Sequence, residues 1–163
     1  MMVKAITIFQ PWASLIMVGA KPWEFRKWSY IGRSGVTPGD PIGIHAAKRP
    51  IRIDEVDDLR RRLGDPCCTT GLIAEKAREL LDRVASAPKC RGVLEMGALL
   101  GTVRIGEPVL TSKLFPAWKT IADSDRLEHC KWAWPMTNPR SFVPKPLAGA
   151  QGFFWASVNE AAL

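Results

Sequence analysis

The spacing of apolar residues divides the chain into short blocks, and each block predicts one element. Runs rich in β-branched and aromatic residues predict strands. An apolar run that follows Pro11 and stops at Gly19 predicts a two-turn helix over 13–18. Predicted strands cover 3–9, 23–28, 41–46, 99–105, 132–137 and 153–158, with turns at 32–40, a loop or short helix at 114–122 and a proline-rich run at 139–146.

Between about 53 and 90 the apolar spacing changes to that of helices. One helix is predicted up to Gly64 and a second from about Ile73 to Val84. This segment lies between strands, so we expect a helical insertion that packs on one side of the sheet. The class predicted for residues 1–163, taken as one domain, is α+β: a small β-barrel with a short N-terminal helix and this insertion.

Composition narrows the range of partners. The 163 residues include 23 Lys and Arg against 16 Asp and Glu, a net charge of +7. Seven basic and two acidic residues fall within 1–50, whereas 51–90 is balanced. A surplus concentrated in one part of the chain favours a polyanionic partner, and general solubility is the alternative explanation.

Several classes of function are disfavoured. No apolar run is long enough to span a membrane and no signal peptide is recognisable, so we expect a cytoplasmic protein without a membrane partner. The four cysteines contain no C-x-x-C pair and there are two histidines, which argues against a metal site. Phosphate-binding and dinucleotide glycine motifs are absent, so no cofactor is expected.

Four motifs in register resemble the ASCH family of the PUA-like superfamily. They are Gln10-Pro11-Trp12-Ala13, then Gly19-x-Lys21-x-x-Glu24-x-Arg26-x-Trp28, then Ile44-His45-Ala46-Ala47-Lys48, and finally Trp134-x-x-x-Asn138-Pro139-Arg140 leading into Gly149-x-Gln151-Gly152-x-x-Trp155. The resemblance covers 5–50 and 97–158. It implies a PUA-like barrel with a cleft beside the first helix, and a family associated mostly with RNA binding and in some branches with hydrolysis.

The second motif supplies the candidates for chemistry. Lys21 precedes Pro22 and so favours an extended or turn conformation, from which a side chain can enter a cleft. It would hold a phosphate, or act as a base or nucleophile, and a solvated loop lysine is the alternative. Glu24 and Arg26 share one face of a strand, either as an acid–base and anion-binding pair or as an ion pair that stabilises the fold. Lys21, Glu24 and Arg26 are therefore the predicted catalytic residues if the protein is an enzyme.

Basic and aromatic side chains supply the candidates for binding RNA, since nucleobases stack on tryptophan and phosphates bind cations. Trp12 has the best claim to the cleft, and Trp28, Trp134 and Trp155 are further aromatic candidates. His45 is expected to be a hydrogen-bonded structural residue, and Arg60–Arg62 a solvated helix face. The predicted nucleic-acid-binding residues are Trp12, Lys21, Arg26, Lys48, Arg49 and Arg140.

Two branches of the family that this sequence resembles are enzymes. One hydrolyses the acetyl amide of N4-acetylcytidine with a Lys, a Thr three residues on and a Glu in a later strand. Lys21 matches, but Glu24 and Arg104 occupy the other two positions in an ungapped alignment. The other resembles metal-independent ribonucleases, which need a base, a cation and an acid at the cleaved phosphate.

The leading hypothesis is a module that binds RNA or a modified nucleoside in a basic, tryptophan-lined cleft. The alternative is a small hydrolase that uses the same cleft, as a ribonuclease or as an amidohydrolase on an N4-acylated cytidine. A third hypothesis is a protein-interaction module that binds its partner through the helical insertion.

Overall fold

A computed structural model describes residues 1–65, 68–88, 92–114, 121–124 and 126–158. Its strands are β1 (Met2–Ile8), β2 (Trp23–Arg26), β3 (Pro41–Ala46), β4 (Ala98–Ile105), β5 (Val109–Leu110), β6 (Trp132–Pro146) and β7 (Phe153–Ser157). Its helices are α1 (Trp12–Met17), α2 (Ile53–Leu63), α3 (Ala74–Ser86) and α4 (Thr111–Leu114), with a 3-10 turn at Leu127–His129. The predicted α+β class and most predicted elements are confirmed. Most of the loop or short helix expected at 114–122 lies outside the described residues.

The strands form one mixed sheet in the order β2–β6–β4–β3–β1–β7, with β5 paired to the first residues of β6. Strands β1 and β3 are parallel, and the other neighbours are antiparallel. Over the described part of the chain no pairing joins β2 to β7. The sheet is therefore open there, and the expected closed barrel is not formed by these pairings.

Strand β6 continues through the proline-rich run, where the sequence predicted an end of the strand near 137. Its register against β4 shifts twice, and Pro139 and Pro144 lie within the two shifts. Asn138, in the first shift, has a φ of +50°. A proline has no N–H to donate, so bulges at a sheet edge accommodate it without the loss of a ladder hydrogen bond.

The end of α1 determines where the chain enters β2. Gly19, at φ +68°, donates its N–H to Ile16 O, and Ala20 donates to Leu15 O. These two bonds form a Schellman motif, which requires the left-handed conformation that glycine adopts without strain. The helix thus stops where the sequence predicted, and Lys21 follows at once.

The main core is continuous from the sheet into the helical insertion. The largest apolar cluster contains sheet residues such as Ile44 and Val103, α1 residues such as Leu15, and Leu59 and Leu81 of the insertion. The apolar side chains of the insertion belong to the same core as the sheet. Within the described ranges, no helix combines the length and apolar character that crossing a membrane requires.

Candidate functional site

A cleft of about 220 Å³ opens between α1, β2 and described residues of the segments 123–124 and 126–130. Its walls are partly aromatic, and its polar side chains carry both signs of charge. The described lining residues are Thr7, Ile8, Phe9, Trp12, Lys21, Glu24, Phe25, Arg26, Glu55, Asp123, Ser124, Arg126, His129 and Cys130. The structure therefore brings Trp12, Lys21, Glu24 and Arg26 together beside the first helix, where the family resemblance implied a cleft.

Lys21 lies in the wall of this cleft with only 2% of its surface exposed. Its ammonium group donates a hydrogen bond to Asp123 Oδ2 and lies 3.4 Å from Glu24 Oε2. It also lies 4.9 Å from the centre of the Phe25 ring. Both carboxylates are themselves buried. Lys21 is thus a buried cation between two acids, which excludes the alternative of a solvated loop lysine.

Burial and neighbouring charges set the ionisation of this group. Burial by itself would lower the pKa of Lys21, but the charges and hydrogen bonds of Asp123 and Glu24 outweigh that effect, so the pKa is raised. Burial raises the pKa of Asp123, the charge of Lys21 opposes that rise and the charge of Glu24 adds to it. Lys21 therefore holds its proton at neutral pH, and Asp123 takes up a proton more readily than an exposed aspartate.

Alternation along β2 places Glu24 and Arg26 on the cleft side, as predicted. Arg26 Nη2 lies 2.8 Å from Glu24 Oε1, so the two form an ion pair and also line the cleft. The Nε atom of Arg26 is buried and has no hydrogen-bond partner within the described residues. An unpaired buried donor costs free energy unless a ligand or water satisfies it.

Phe9 stands at the edge of the cleft between two guanidinium groups. The Arg49 guanidinium lies 4.1 Å from the centre of the Phe9 ring, and that of Arg126 lies 5.8 Å from it. Arg49 is also paired with Glu55, which lines the cleft from α2. Arg49 therefore supports the rim without lining the cleft itself, whereas Arg126 is exposed and lines it.

Three predicted residues lie elsewhere. Lys48 and Arg140 are exposed and do not line the cleft. Arg104, placed by alignment where the amidohydrolase branch has its glutamate, donates to Gly39 O at 2.8 Å and does not line it either. Arg104 therefore puts no charge into the site, and the carboxylates beside Lys21 come from Glu24 and Asp123.

The aromatic candidates lie in three different places: the cleft, the core and the exposed surface. Trp12 lines the cleft, and its indole N–H donates to Asp123 O at 2.7 Å. Trp134 is fully buried and packs edge-on against Trp28 and Tyr30, so it belongs to the core. Trp155 is 60% exposed outside the cleft, with Lys4 Nζ 4.3 Å from its ring centre.

His45 and Cys130 are both buried. His45 is buried and bonds to Thr7 Oγ1 at 3.2 Å and to Leu147 O at 2.9 Å. This agrees with the predicted hydrogen-bonded histidine. Cys130 lines the cleft, and burial, with the charge of Asp123, raises its pKa to about 12. The thiol thus stays protonated and is a poor nucleophile. In the part of the chain that the structure describes, no three His, Cys, Asp or Glu side chains are arranged to hold a metal ion.

Asp123 is the residue that sequence reasoning missed. It lies 102 positions from Lys21 in a segment without regular secondary structure, and no motif or periodicity marks it. Its position in the cleft follows from hydrogen bonds that its backbone and that of its neighbours accept from the Trp12 and Arg62 side chains.

The charges that line the cleft are balanced. Three basic side chains (Lys21, Arg26, Arg126) face three acidic ones (Glu24, Glu55, Asp123) among the described residues. The described lining is therefore not the basic one that the sequence predicted. It offers hydrogen-bond donors and acceptors side by side. No protein-family model matches this chain, and the comparison with curated proteins gives no match.

Proposed function

We propose that this chain binds one nucleotide-sized unit, a base of RNA or a modified nucleoside, in the cleft beside α1. The observation that carries the proposal is the buried Lys21 between Asp123 and Glu24. A buried ion pair often stabilises a fold less than apolar residues of the same volume would. Titratable groups that line a cleft and have strongly perturbed pKa values are typical of functional sites.

Size and polarity favour a nucleobase over a longer anion. The volume of about 220 Å³ lies below the roughly 300–1,000 Å³ of pockets for drug-sized ligands. Phe9 and Trp12 give flat apolar walls, while Lys21 and Asp123 offer a donor and an acceptor. A planar heterocycle with polar edges matches these walls, and a phosphate attached to it would lie towards Arg126.

The family assignment is part of this proposal. Residues of the two N-terminal motifs converge on the cleft, which supports the resemblance to ASCH proteins. A PUA-like barrel is supported by β6, which pairs with β2 through its first residues and with β4 through its later ones. A strand that passes between two parts of a sheet in this way is common where a sheet curls.

Calorimetric titration tests the binding proposal with a panel of nucleosides, N4-acetylcytidine among them, and with a short single-stranded RNA. The double variant Lys21→Met, Asp123→Asn removes both charges at once and leaves no unpaired buried ion. We expect it to weaken binding roughly ten- to a hundredfold, because a hydrogen bond to a charged group contributes about 1.5–3 kcal/mol.

Arg140→Ala is the matched control, because Arg140 is exposed and lies outside the cleft. It should leave nucleoside binding unchanged. RNA binding that Arg140→Ala and added salt weaken, but that the double variant leaves unchanged, would contradict binding in the cleft. It would indicate phosphate contacts on the surface. Failure of both nucleosides and RNA to bind would also contradict the proposal.

Hydrolysis in the same cleft is the second candidate function. The carboxyl group of Asp123, whose pKa is raised, lies beside Lys21, which stays protonated. For an acylated base, Asp123 would take a proton from water as the water oxygen bonds to the acyl carbon. Lys21 would donate to the oxygen that gains charge. The carbon–nitrogen bond then breaks, and the proton on Asp123 passes to the leaving amine.

Chromatography after the titrations separates the two candidates. Release of acetate from N4-acetylcytidine, lost in the double variant, would support the amidohydrolase. Shortening of the RNA that the double variant abolishes would support a ribonuclease. Intact ligands that bind in a charge-dependent way support the binding module alone.

A further inference from the structure

The backbone on both sides of Asp123 is held by one side chain of the helical insertion. Arg62 Nη1 donates to Ala122 O at 2.6 Å, and Nη2 donates to Ser124 O at 3.1 Å. The indole N–H of Trp12 donates to the carbonyl between them, Asp123 O, at 2.7 Å. Three successive carbonyl groups are thus bound by side chains of α1 and α2. A movement of the loop backbone that carries Asp123 away from Lys21 would break these bonds.

Arg62 is itself held in place. Its side chain is 15% exposed, and its Nε atom lies 3.0 Å from Asp58 Oδ2 one turn earlier on α2. Neighbouring Arg61 is far more exposed and pairs with Asp58. The sequence grouped Arg60, Arg61 and Arg62 as one solvated face, so this prediction was wrong for Arg62. A planar guanidinium donates in two fixed directions, which suits two carbonyls of one loop.

We propose that Arg62 is a positioning residue that keeps the carboxylate of Asp123 against Lys21. The helical insertion is then a working part of the cleft, to which α2 also supplies Glu55. One part of the inference rests on the proposed function: the expectation that ligand binding weakens when Arg62 is lost. The direct effect of that loss, on the Lys21–Asp123 pair, is measured without any ligand.

Proton–nitrogen correlation spectra of lysine ammonium groups provide the first readout. A buried, hydrogen-bonded ammonium exchanges slowly with water, so Lys21 gives a visible signal, assigned by its loss in the Lys21→Met, Asp123→Asn variant. Carboxyl-carbon shifts followed against pH give the pKa of Asp123. In Arg62→Met, which keeps the apolar stem, we expect the Lys21 signal to broaden or disappear. The Asp123 pKa should move towards the ordinary aspartate value as the loop reaches water.

A control variant isolates the role of the loop contacts. Arg61→Met removes a surface arginine of the same helix, which pairs with Asp58. It should leave the Lys21 signal and the Asp123 pKa unchanged. If Arg62→Met does not fold, Arg62→Lys is used, and its single ammonium should produce the same changes to a smaller extent. Wild-type values in a folded Arg62 variant would overturn the proposal, even if its stability were lower.

Nucleoside titration completes the test. We expect Arg62→Met to weaken binding roughly tenfold, since small displacements of a positioned group reduce its effect strongly. Altered Lys21 and Asp123 signals in a protein that binds no nucleoside at all would uphold the role of Arg62 and reject the proposed function. Unaltered signals together with weakened binding would reject the role of Arg62 as a positioning residue.

Discussion

Lys21 is a buried cation in the wall of the cleft, and acids from two parts of the chain compensate its charge. Glu24 is three residues away in sequence, whereas Asp123 comes from a distant loop. Local sequence accounts for the first contact, since the turn after α1 leads directly into β2. It does not account for the second. Removal of Lys21 alone would leave two buried carboxylates, of which Glu24 keeps its ion pair with Arg26.

We therefore expect Lys21→Met to lower the free energy of unfolding by about 3–5 kcal/mol, the cost of breaking a buried pair. The double variant Lys21→Met, Asp123→Asn should regain a large part of this loss. Urea unfolding measures both. Lys145→Met, at an exposed position of β6, is the control and should change stability by less than about 0.5 kcal/mol. Equal effects of the single and double variants would contradict a coupled pair.

Cys130 provides a chemical test of how closed the cleft wall is. Its pKa of about 12 leaves about one thiol in ten thousand ionised at pH 8, far fewer than for an ordinary cysteine. We expect iodoacetamide at pH 8 to leave Cys130 unmodified in the folded protein and to modify it in urea. Peptide mass spectrometry reads out this site alone. Rapid native modification at Cys130 would argue against a protonated, buried thiol.

At the scale of elements, close contacts between strands and helices hold α1 against the sheet. Gly101 of β4 lies where a side chain would collide with its neighbours. A Cβ atom there would come within 2.4 Å of both Arg140 O and Met17 Cε. Strand β6 and helix α1 therefore approach β4 more closely than any residue with a side chain allows. Because α1 begins with Trp12, this contact also sets one wall of the cleft.

We expect Gly101→Ala to destabilise the protein by about 1–3 kcal/mol, as overpacking of a core does. Gly64→Ala is the matched control, because Gly64 is exposed and has a φ of −94°, and among the described residues a Cβ atom there would meet Arg61 O at 3.6 Å. It should change stability by less than about 1 kcal/mol. Thermal unfolding compares the two, and equal melting temperatures would show that β4 tolerates a side chain at Gly101.

Most elements could be predicted because their signals are local. Alternation in β2 and the glycine after α1 operate over a few residues, and both predictions were correct. Strand β6 was predicted too short, since Pro139 and Pro144 normally end a strand. The bulges that accommodate them depend on the register against β4, which no local pattern contains.

At the scale of the whole molecule, the helical insertion and the sheet share one core. Val56 and Leu59 of α2, and Leu80 and Leu81 of α3, are buried in the same apolar cluster as the strands. An interaction module appended to a separate domain would have its own core. The hypothesis of a partner bound through the insertion stays a prediction, and the shared core means that removing 53–90 would also remove part of the sheet's packing.

Alkaline pH should destabilise the protein as a whole. Burial raises the pKa of Tyr30 to about 12, and the pKa of Cys130 is likewise about 12. The pKa of Lys21 also lies above its ordinary value. In each case the folded state keeps a proton that the unfolded chain loses, so stability falls as pH rises. The loss begins near the ordinary values of 9.0 for cysteine, 10.0 for tyrosine and 10.5 for lysine.

Denaturant midpoints at pH 8, 10 and 11 check this expectation and should decrease steadily. Tyr30→Phe removes one of the three groups and should give a shallower decrease. Its own cost at pH 8 comes from the lost bond of the Tyr30 hydroxyl to Gly106 O at 2.7 Å. A flat profile up to pH 11 would contradict the raised pKa values.

The sequence by itself determined the elements, the α+β class and half of the cleft, because hydrophobic spacing, helix stops and the Lys21–Arg26 motif act over short distances. Only the tertiary structure decided that Asp123 meets Lys21 and that Arg62 leaves the solvated face of α2. It also decided that Trp134 is core while Trp12 lines the cleft. These outcomes depend on packing and on hydrogen bonds between distant segments, and residues so far apart leave no periodic signal along the chain.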